Sequence, residues 1–260
     1  MIRKWILAFL VGMLLVGAVP AVSTALAVSG GEKTNRTITI NGGEFPPFTM
    51  NDNREGAFIE ITKAAFAKKG YRVKFTNYPF SRAVSMLEAG TLDAALNISY
   101  TKERTAFCRY SDKIYSMDLC LFKLKNGKLE RYTGVEGLKE YRCVALLGSV
   151  WEKRLRGGGV KCEGVPDIVQ GIGMLLKGRV DLVVGVRDIV TYKMKKNFTG
   201  AQVSKVVAVE PPLQVDDSYL AFSKKLTESQ AYRDDFNQGL KLIKKDGTYS
   251  RIIKKYGLTP

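Results

Sequence analysis

The chain contains no histidine, and its nucleophilic or metal-binding side chains of the softer kind reduce to four cysteines, Cys108, Cys120, Cys143 and Cys162. Without imidazole, general-base chemistry of the histidine type is excluded, and so is a zinc site of mixed cysteine and histidine ligands. No Cys-x-x-Cys pair occurs, which removes the usual redox spacing. An even number of cysteines reads as a disulfide set if the chain works in an oxidising compartment, and as buried free thiols if it does not. No metal, no cofactor and no catalytic residue is expected.

The first residues bear on the compartment. Arg3 and Lys4 precede about fifteen apolar or small residues, 5–19, a run too short to cross a bilayer comfortably. Ala25-Leu26-Ala27 then gives the small-x-small pattern that a signal peptidase reads, so 1–27 is expected to be a cleaved signal peptide and the mature protein periplasmic or otherwise extracytoplasmic. No cysteine stands at the junction to accept a lipid. Loss of Arg3 and Lys4 leaves 39 basic against 25 acidic residues, a net charge of +14. The basic residues are scattered over helix faces instead of clustered, and the reading is a solvated surface with no nucleic-acid partner.

The remaining residues, about 233, are enough for one domain or two small ones. Residues 37–41 read as a strand and 42–48 as a Gly- and Pro-rich loop. A helix over 59–69 is closed by Gly70, and a strand follows over 71–75. A helix capped by Ser81 runs to Ala89, Gly90 stops it in the left-handed conformation, and 92–98 is an apolar strand. The construction returns 88 residues later: the run Met86-Leu87-Glu88-Ala89-Gly90-Thr91-Leu92-Asp93 is echoed by Met174-Leu175-Leu176-Lys177-Gly178-Arg179-Val180-Asp181. Strands separated by helices imply parallel pairing, and two copies of one unit imply two α/β lobes. The second would hold strands at 142–147, from Val160 and at 180–186, with helices from Trp151 and over 167–177. A strand over 218–223 and helices over 229–244 and 249–256 end the chain, and crossings near 117–125 and 213–222 would form a hinge.

In order and spacing these residues resemble the bacterial extracellular solute-binding proteins of family 3. The resemblance runs from Ile38 to Tyr256. Its marks are Phe45-Pro46-Pro47-Phe48 with Gly56 behind it, Leu87-Glu88-Ala89-Gly90-Thr91-Leu92-Asp93-Ala94, and Thr101-Lys102-Glu103-Arg104 followed by Ser111-Asp112-Lys113-Ile114-Tyr115. Leu138-Lys139 before Gly148-Ser149, Ala221-Phe222-Ser223-Lys224-Lys225, and Lys245-Asp246-Gly247-Thr248-Tyr249 complete it. The resemblance implies an α/β, two-lobed periplasmic-binding-protein fold of type II, each lobe a sheet flanked by helices and joined by two hinge strands. Lobe 1 would take 28–120 plus 215–260, and lobe 2 would take 121–214. It implies a monomer that closes on a small polar or anionic solute and delivers it to an ABC transporter permease in the membrane.

Matched to the family pattern, Arg104 is the guanidinium that grips a ligand carboxylate, a role its planar fork suits. Asn97 and Ser99 are polar contacts, Phe45 and Phe80 flank the ligand, and Arg82 points into the cleft. Ser149 and Val150 offer the free N–H groups of a helix start. Val150 departs from the usual threonine. Val186 stands where an aspartate would pair with a ligand ammonium, and Asp188, two residues on, is the substitute if the strand continues. With Arg82, Arg104 and Arg187 nearby, the expected ligand is an acidic amino acid or organic acid. From their places along the chain, Cys143 is paired with Cys162 and Cys108 with Cys120. Two other classes stand beside the receptor. One is an enzyme on the same fold, such as a dehydratase of a prephenate-like acid working through Glu44 or Asp188. The other is a freestanding sensor component with a separate membrane partner.

Overall fold

In the computed structural model, residues 36–50, 55–98 and 100–259 are described; the expected signal peptide lies outside them. The elements run β1 (Arg36–Asn41), α1 (Ala57–Ala67), β2 (Tyr71–Thr76), α2 (Phe80–Ala89), β3 (Ala94–Leu96), β4 (Cys108–Tyr110) and β5 (Tyr115–Leu124). They continue β6 (Arg142–Leu146), α3 (Val150–Gly157), β7 (Lys161–Val165), α4 (Ile168–Leu176), β8 (Leu182–Val186), α5 (Arg187–Asn197) and α6 (Gly200–Val203). The last are β9 (Val206–Ser218), β10 (Leu220–Ser223), α7 (Ser229–Lys245) and α8 (Thr248–Lys255).

Two five-stranded sheets result, in the orders β2-β1-β3-β10-β4 and β7-β6-β8-β5-β9. The strands at one end of each sheet are parallel, as strand-helix-strand units require. In the first, β10 runs antiparallel to β3 and β4; in the second, β5 runs antiparallel to β8 and β9. Both sheets are covered on both faces, and the period of two in their strands sorts the side chains. Ile38, Ile40, Leu96 and Phe222 pack with Phe58, Phe66, Phe236 and Leu240 of α1 and α7, whereas Ala95 and Ala221 turn to Ala83 and Leu87 of α2. In the second sheet Phe122, Val144 and Val183 meet Ile172, Leu175 and Met194 of α4 and α5, and Leu121, Cys143, Ala145 and Val184 meet Trp151 and Leu155 of α3.

The repeated sequence unit has one structural meaning in both sheets. Gly90 and Gly178 hold φ of 79° and 66°, where a side chain would be strained, and stop α2 and the turn after α4. The aspartates that follow tie the end of the unit to the neighbouring parallel strand, β1 in the first sheet and β6 in the second. Asp93 accepts the Thr39 N–H at 2.7 Å, and Asp181 accepts the Arg142 N–H at 2.9 Å.

The helix-capping expectation at Ser81 is not met: α2 starts at Phe80 after Pro79, with no side-chain cap. Pro79 is itself barred from continuing a helix backwards, which sets the start. The strand read to Val186 also ends there. Arg187 opens α5, so Asp188 lies in a first helical turn and not on a continued strand.

Candidate functional site

The loop of residues 42–49 is folded tightly on itself: Phe45 N–H donates to Thr49 C=O at 2.9 Å and Thr49 N–H returns the bond at 3.0 Å. The Pro46–Pro47 bond is cis. Phe48 is fully buried against Phe58, and Phe45 stacks on it at 5.5 Å with its own ring toward the cleft. Behind the loop, Gly56 has φ 125°, and a Cβ there would overlap the Phe48 carbonyl, so this position admits only glycine.

Two asparagines at strand ends hold the rest of this wall. Asn41, at the end of β1, accepts the Tyr78 N–H at 2.7 Å and donates to the Tyr78 carbonyl at 3.2 Å, fixing the segment that carries Tyr78 and Phe80. Asn97, just past β3, sits at φ 60° and donates to Gly42 C=O and Thr49 Oγ1, each at 3.3 Å. Its amide nitrogen thus positions the Phe45 loop, and its buried Oδ1 has no partner among the described residues.

These walls and both sheets enclose a cavity of about 1030 Å³. From the first sheet side come Asn41, Glu44, Phe45, Tyr78, Phe80, Asn97 and Tyr100; from the second come Met117 of β5, Val186 of β8, and Gln214, Asp216 and Asp217 of β9. A neighbouring hollow of about 350 Å³ continues over the second lobe, past Leu146, Ser149, Val150, Trp151, Ile168 and Ile189, and shares Glu44, Phe45 and Val186 with the first. Asn41, Leu96, Leu146 and Val186 all stand at the carboxyl ends of parallel strands, where open α/β sheets bind ligands.

Of the expected site residues, Phe45, Phe80, Asn97, Ser149 and Val150 do line the two hollows. Phe80 and Val150 are 51% and 77% exposed and stand at opposite lips. Ser99 lies outside the described residues. Arg104 is not in the wall itself; its guanidinium lies over the Phe80 ring at 5.4 Å, one ring behind the cavity. Arg82 likewise lies over Tyr78, at 4.7 Å, and does not point into the cleft. At the start of α3 the Ser149 hydroxyl accepts the Glu152 N–H, and Glu152 accepts the Gly148 N–H at 2.5 Å. A carboxylate of the chain therefore occupies part of the anion site expected there.

Asp188 is withdrawn from the cleft altogether. It is 4% exposed, with one oxygen 2.8 Å from the Tyr115 hydroxyl and the other accepting the Thr259 N–H. The helical turn that begins at Arg187 rotates it away from the strand face. The positive wall expected of the cleft is not present either. Arg187 is paired with Asp118 at 3.2 Å and Glu210 at 2.7 Å, and no lysine or arginine is among the described residues lining the main cavity. Its charged residues are Glu44, Asp216 and Asp217. Asp217 is held below the usual carboxylate range by the Ser116 hydroxyl at 2.6 Å and by Lys113 at 3.2 Å, so it stays ionised.

The sequence reading missed Tyr78, Tyr100 and Tyr219, and the acids of β9. The crossing segment was visible, but which of its residues face the cleft depends on the pairing of β9 with β5, for instance Ser116 opposite Asp217. Among the described residues no group of acids and cysteines is arranged to hold a metal, and no helix is long and apolar enough to cross a membrane.

The cysteines are all thiols in the structure. Cys143 and Cys162 are register partners on β6 and β7. Cys108 and Cys120 are not brought together as their expected pairing needs: Cys108, on β4 of the first sheet, packs beneath α2, and Cys120, on β5 of the second sheet, packs against α4.

The model of the bacterial extracellular solute-binding proteins, family 3, matches residues 38–259. The chain belongs to that family. Among relatives of this family-3 chain, the L-cystine-binding protein TcyA of Bacillus subtilis is 26% identical over 219 residues, which cover 82% of this chain and 78% of the relative. The arginine-binding extracellular protein ArtP of the same organism is 24% identical over 270 residues, covering 98% of each. Among solved structures, the L-cystine solute receptor of Neisseria gonorrhoeae in its unliganded open conformation has a TM-score of 0.70 at 20% identity, covering 86% of this chain and 93% of that one. The fold is thus the two-lobed periplasmic-binding type, and the named relatives are binding proteins.

Proposed function

We propose that this protein is an extracytoplasmic receptor that captures a small solute of the amino-acid class between its lobes and delivers it to an ABC importer. The observation that carries the reading is the cavity of about 1030 Å³ walled by both sheets at the carboxyl ends of their strands. A cleft so placed closes over its ligand when the lobes rotate, and closure excludes the water that would weaken each polar contact. The hinge is assigned to β5 and to the β9–β10 crossing, with lobe 1 formed by 28–120 and 215–260 and lobe 2 by 121–214.

Arg104 keeps the role of carboxylate anchor, reached when the Phe80 ring in front of it turns aside. Residues 1–27 are assigned as a cleaved signal peptide, so the mature chain begins at Val28. Of the two residues that the enzyme alternative would use, Glu44 lines the cavity and Asp188 is buried elsewhere, which weighs against that pair as its acid and base. The test is a thermal-shift screen of the twenty amino acids, since a ligand bound only by the folded state raises its melting temperature. Stabilisation by at least one, with no turnover of it, supports the receptor; turnover would establish the enzyme.

A further inference from the structure

The two walls of the cleft differ in chemistry. The smaller hollow over the second lobe is lined mostly by apolar side chains, and its polar ones are already engaged: the Ser149 hydroxyl by Glu152 N–H, and Asp167 by the Val169 N–H and Lys193. Val186 and Val150 present methyl groups. In that hollow the one carboxylate besides Glu44, that of Asp167, is already paired, and burying a ligand ammonium unpaired is costly.

The main cavity carries the rings of Phe45, Tyr78, Phe80, Tyr100 and Tyr219 with the carboxylates of Glu44 and, from β9, Asp216 and Asp217. Arg104 and Arg82 already lie over the Phe80 and Tyr78 rings, so the aromatic side chains left to face a cation beside the carboxylates are Phe45, Tyr100 and Tyr219. Asp217 is occupied by Ser116 and Lys113, and Asp216 accepts the Gln214 amide at 2.5 Å. Glu44 has no hydrogen-bond or ion-pair partner among the described residues and is shared by both hollows, so it faces a ligand lying across either.

We propose that Glu44 is the ammonium anchor of this cleft and that the ligand is an ammonium-bearing molecule with an apolar body packed on the Val150 and Val186 wall. The assignment rests on the receptor reading above and narrows it to a substrate class, amines and amino acids with aromatic or aliphatic bodies. Because the Glu44 side chain is exposed and unpartnered, Glu44→Gln removes its charge without disturbing a packed group.

Calorimetry on the mature protein with L-phenylalanine, L-leucine, phenethylamine, 3-phenylpropionate, L-glutamine and L-glutamate tests it. The expected order places L-phenylalanine or L-leucine and phenethylamine above the others, with 3-phenylpropionate, which lacks the ammonium, the weakest of the apolar probes. Glu44→Gln is expected to weaken the preferred amine at least tenfold while its unliganded melting temperature stays unchanged. Tighter binding of L-glutamate or L-glutamine, or unchanged affinity in Glu44→Gln, overturns the assignment and leaves the receptor reading intact. Failure of every probe and of all twenty amino acids to bind defeats both.

Discussion

The Tyr115 hydroxyl lies 2.8 Å from a carboxyl oxygen of Asp188 and 2.7 Å from the Thr259 carbonyl, so one phenolic proton faces two acceptors. Both contacts are satisfied when Asp188 is protonated, because its O–H then donates to the tyrosine oxygen and Tyr115 donates to Thr259. Burial raises the Asp188 pKa above its ordinary value, in agreement with that arrangement. The network joins the start of β5 to the first turn of α5 and to Thr259 beyond α8.

The first prediction is a pH dependence. A carboxyl whose folded pKa is raised contributes stability at low pH that is lost as pH climbs from the ordinary value through the folded one. The window therefore opens at about pH 4, where an unfolded aspartate titrates, and closes above the raised folded value. Asp188→Asn keeps a donor for Tyr115 and cannot ionise. Urea melts are expected to show it at least as stable as the parent at pH 7, with the parent gaining on it as pH falls. A loss of more than about 2 kcal/mol at pH 7 in Asp188→Asn would mean that the ionised form is the stable one.

A second prediction separates the two contacts of Arg104. If its guanidinium grips a carboxylate, Arg104→Ala weakens L-phenylalanine by about 2 to 5 kcal/mol, the cost of breaking a buried charge pair. Phenethylamine, which has no carboxylate, should keep its affinity. Equal losses for both would leave Arg104 only as the support behind the Phe80 ring.

Cys143 and Cys162 give the third. As directly opposed residues of parallel neighbours they lie within the Cα separation that a disulfide spans, about 4.4–6.8 Å. Non-reducing peptide mapping of exported protein is expected to find them linked and Cys108 and Cys120 free. Reduction would then cost about 3 kcal/mol, as for a loop of this length. Burial pushes the Cys143 thiol up to about 12, so an unpaired Cys143 would resist alkylation at neutral pH. A link from Cys108 to either partner would contradict this arrangement.

Close approach of helices supplies the fourth. Gly239 of α7 lies against the backbone of α1, where a Cβ would overlap the Ala65 carbonyl. Gly239→Ala is expected to destabilise the protein by about 1–3 kcal/mol or more, read as a lowered urea midpoint. An unchanged midpoint would show that α7 can slide on α1.

Much of the fold was legible because its signals are local. Gly90 and Gly178 stop helices, and β-branched or apolar runs mark the strands. The turn at Arg187 was not legible, since α5 starts there after Val186 without any side-chain cap and the chain reads as continued strand. Phe45, Phe80 and Asn97, which line the cavity, were picked out because they match positions of the family pattern. Asp216 and Tyr219 were not given a role, and Glu44 was weighed only as an acid or base of an enzyme, because facing the cleft is set by partners far away in the chain. The sign of the cleft's charge was misjudged for the same reason: Arg187 is neutralised by Asp118 and Glu210, and neither contact is local.

Small-angle X-ray scattering of the mature protein, unfolded, freed of small molecules, refolded and then titrated, tests the receptor most directly. Addition of the molecule released on unfolding, or of an amino acid that stabilises the fold, is expected to reduce the radius of gyration in a saturable way as the lobes close. A radius that stays constant while such a ligand binds would contradict closure about β5 and β9, and with it the capture mechanism.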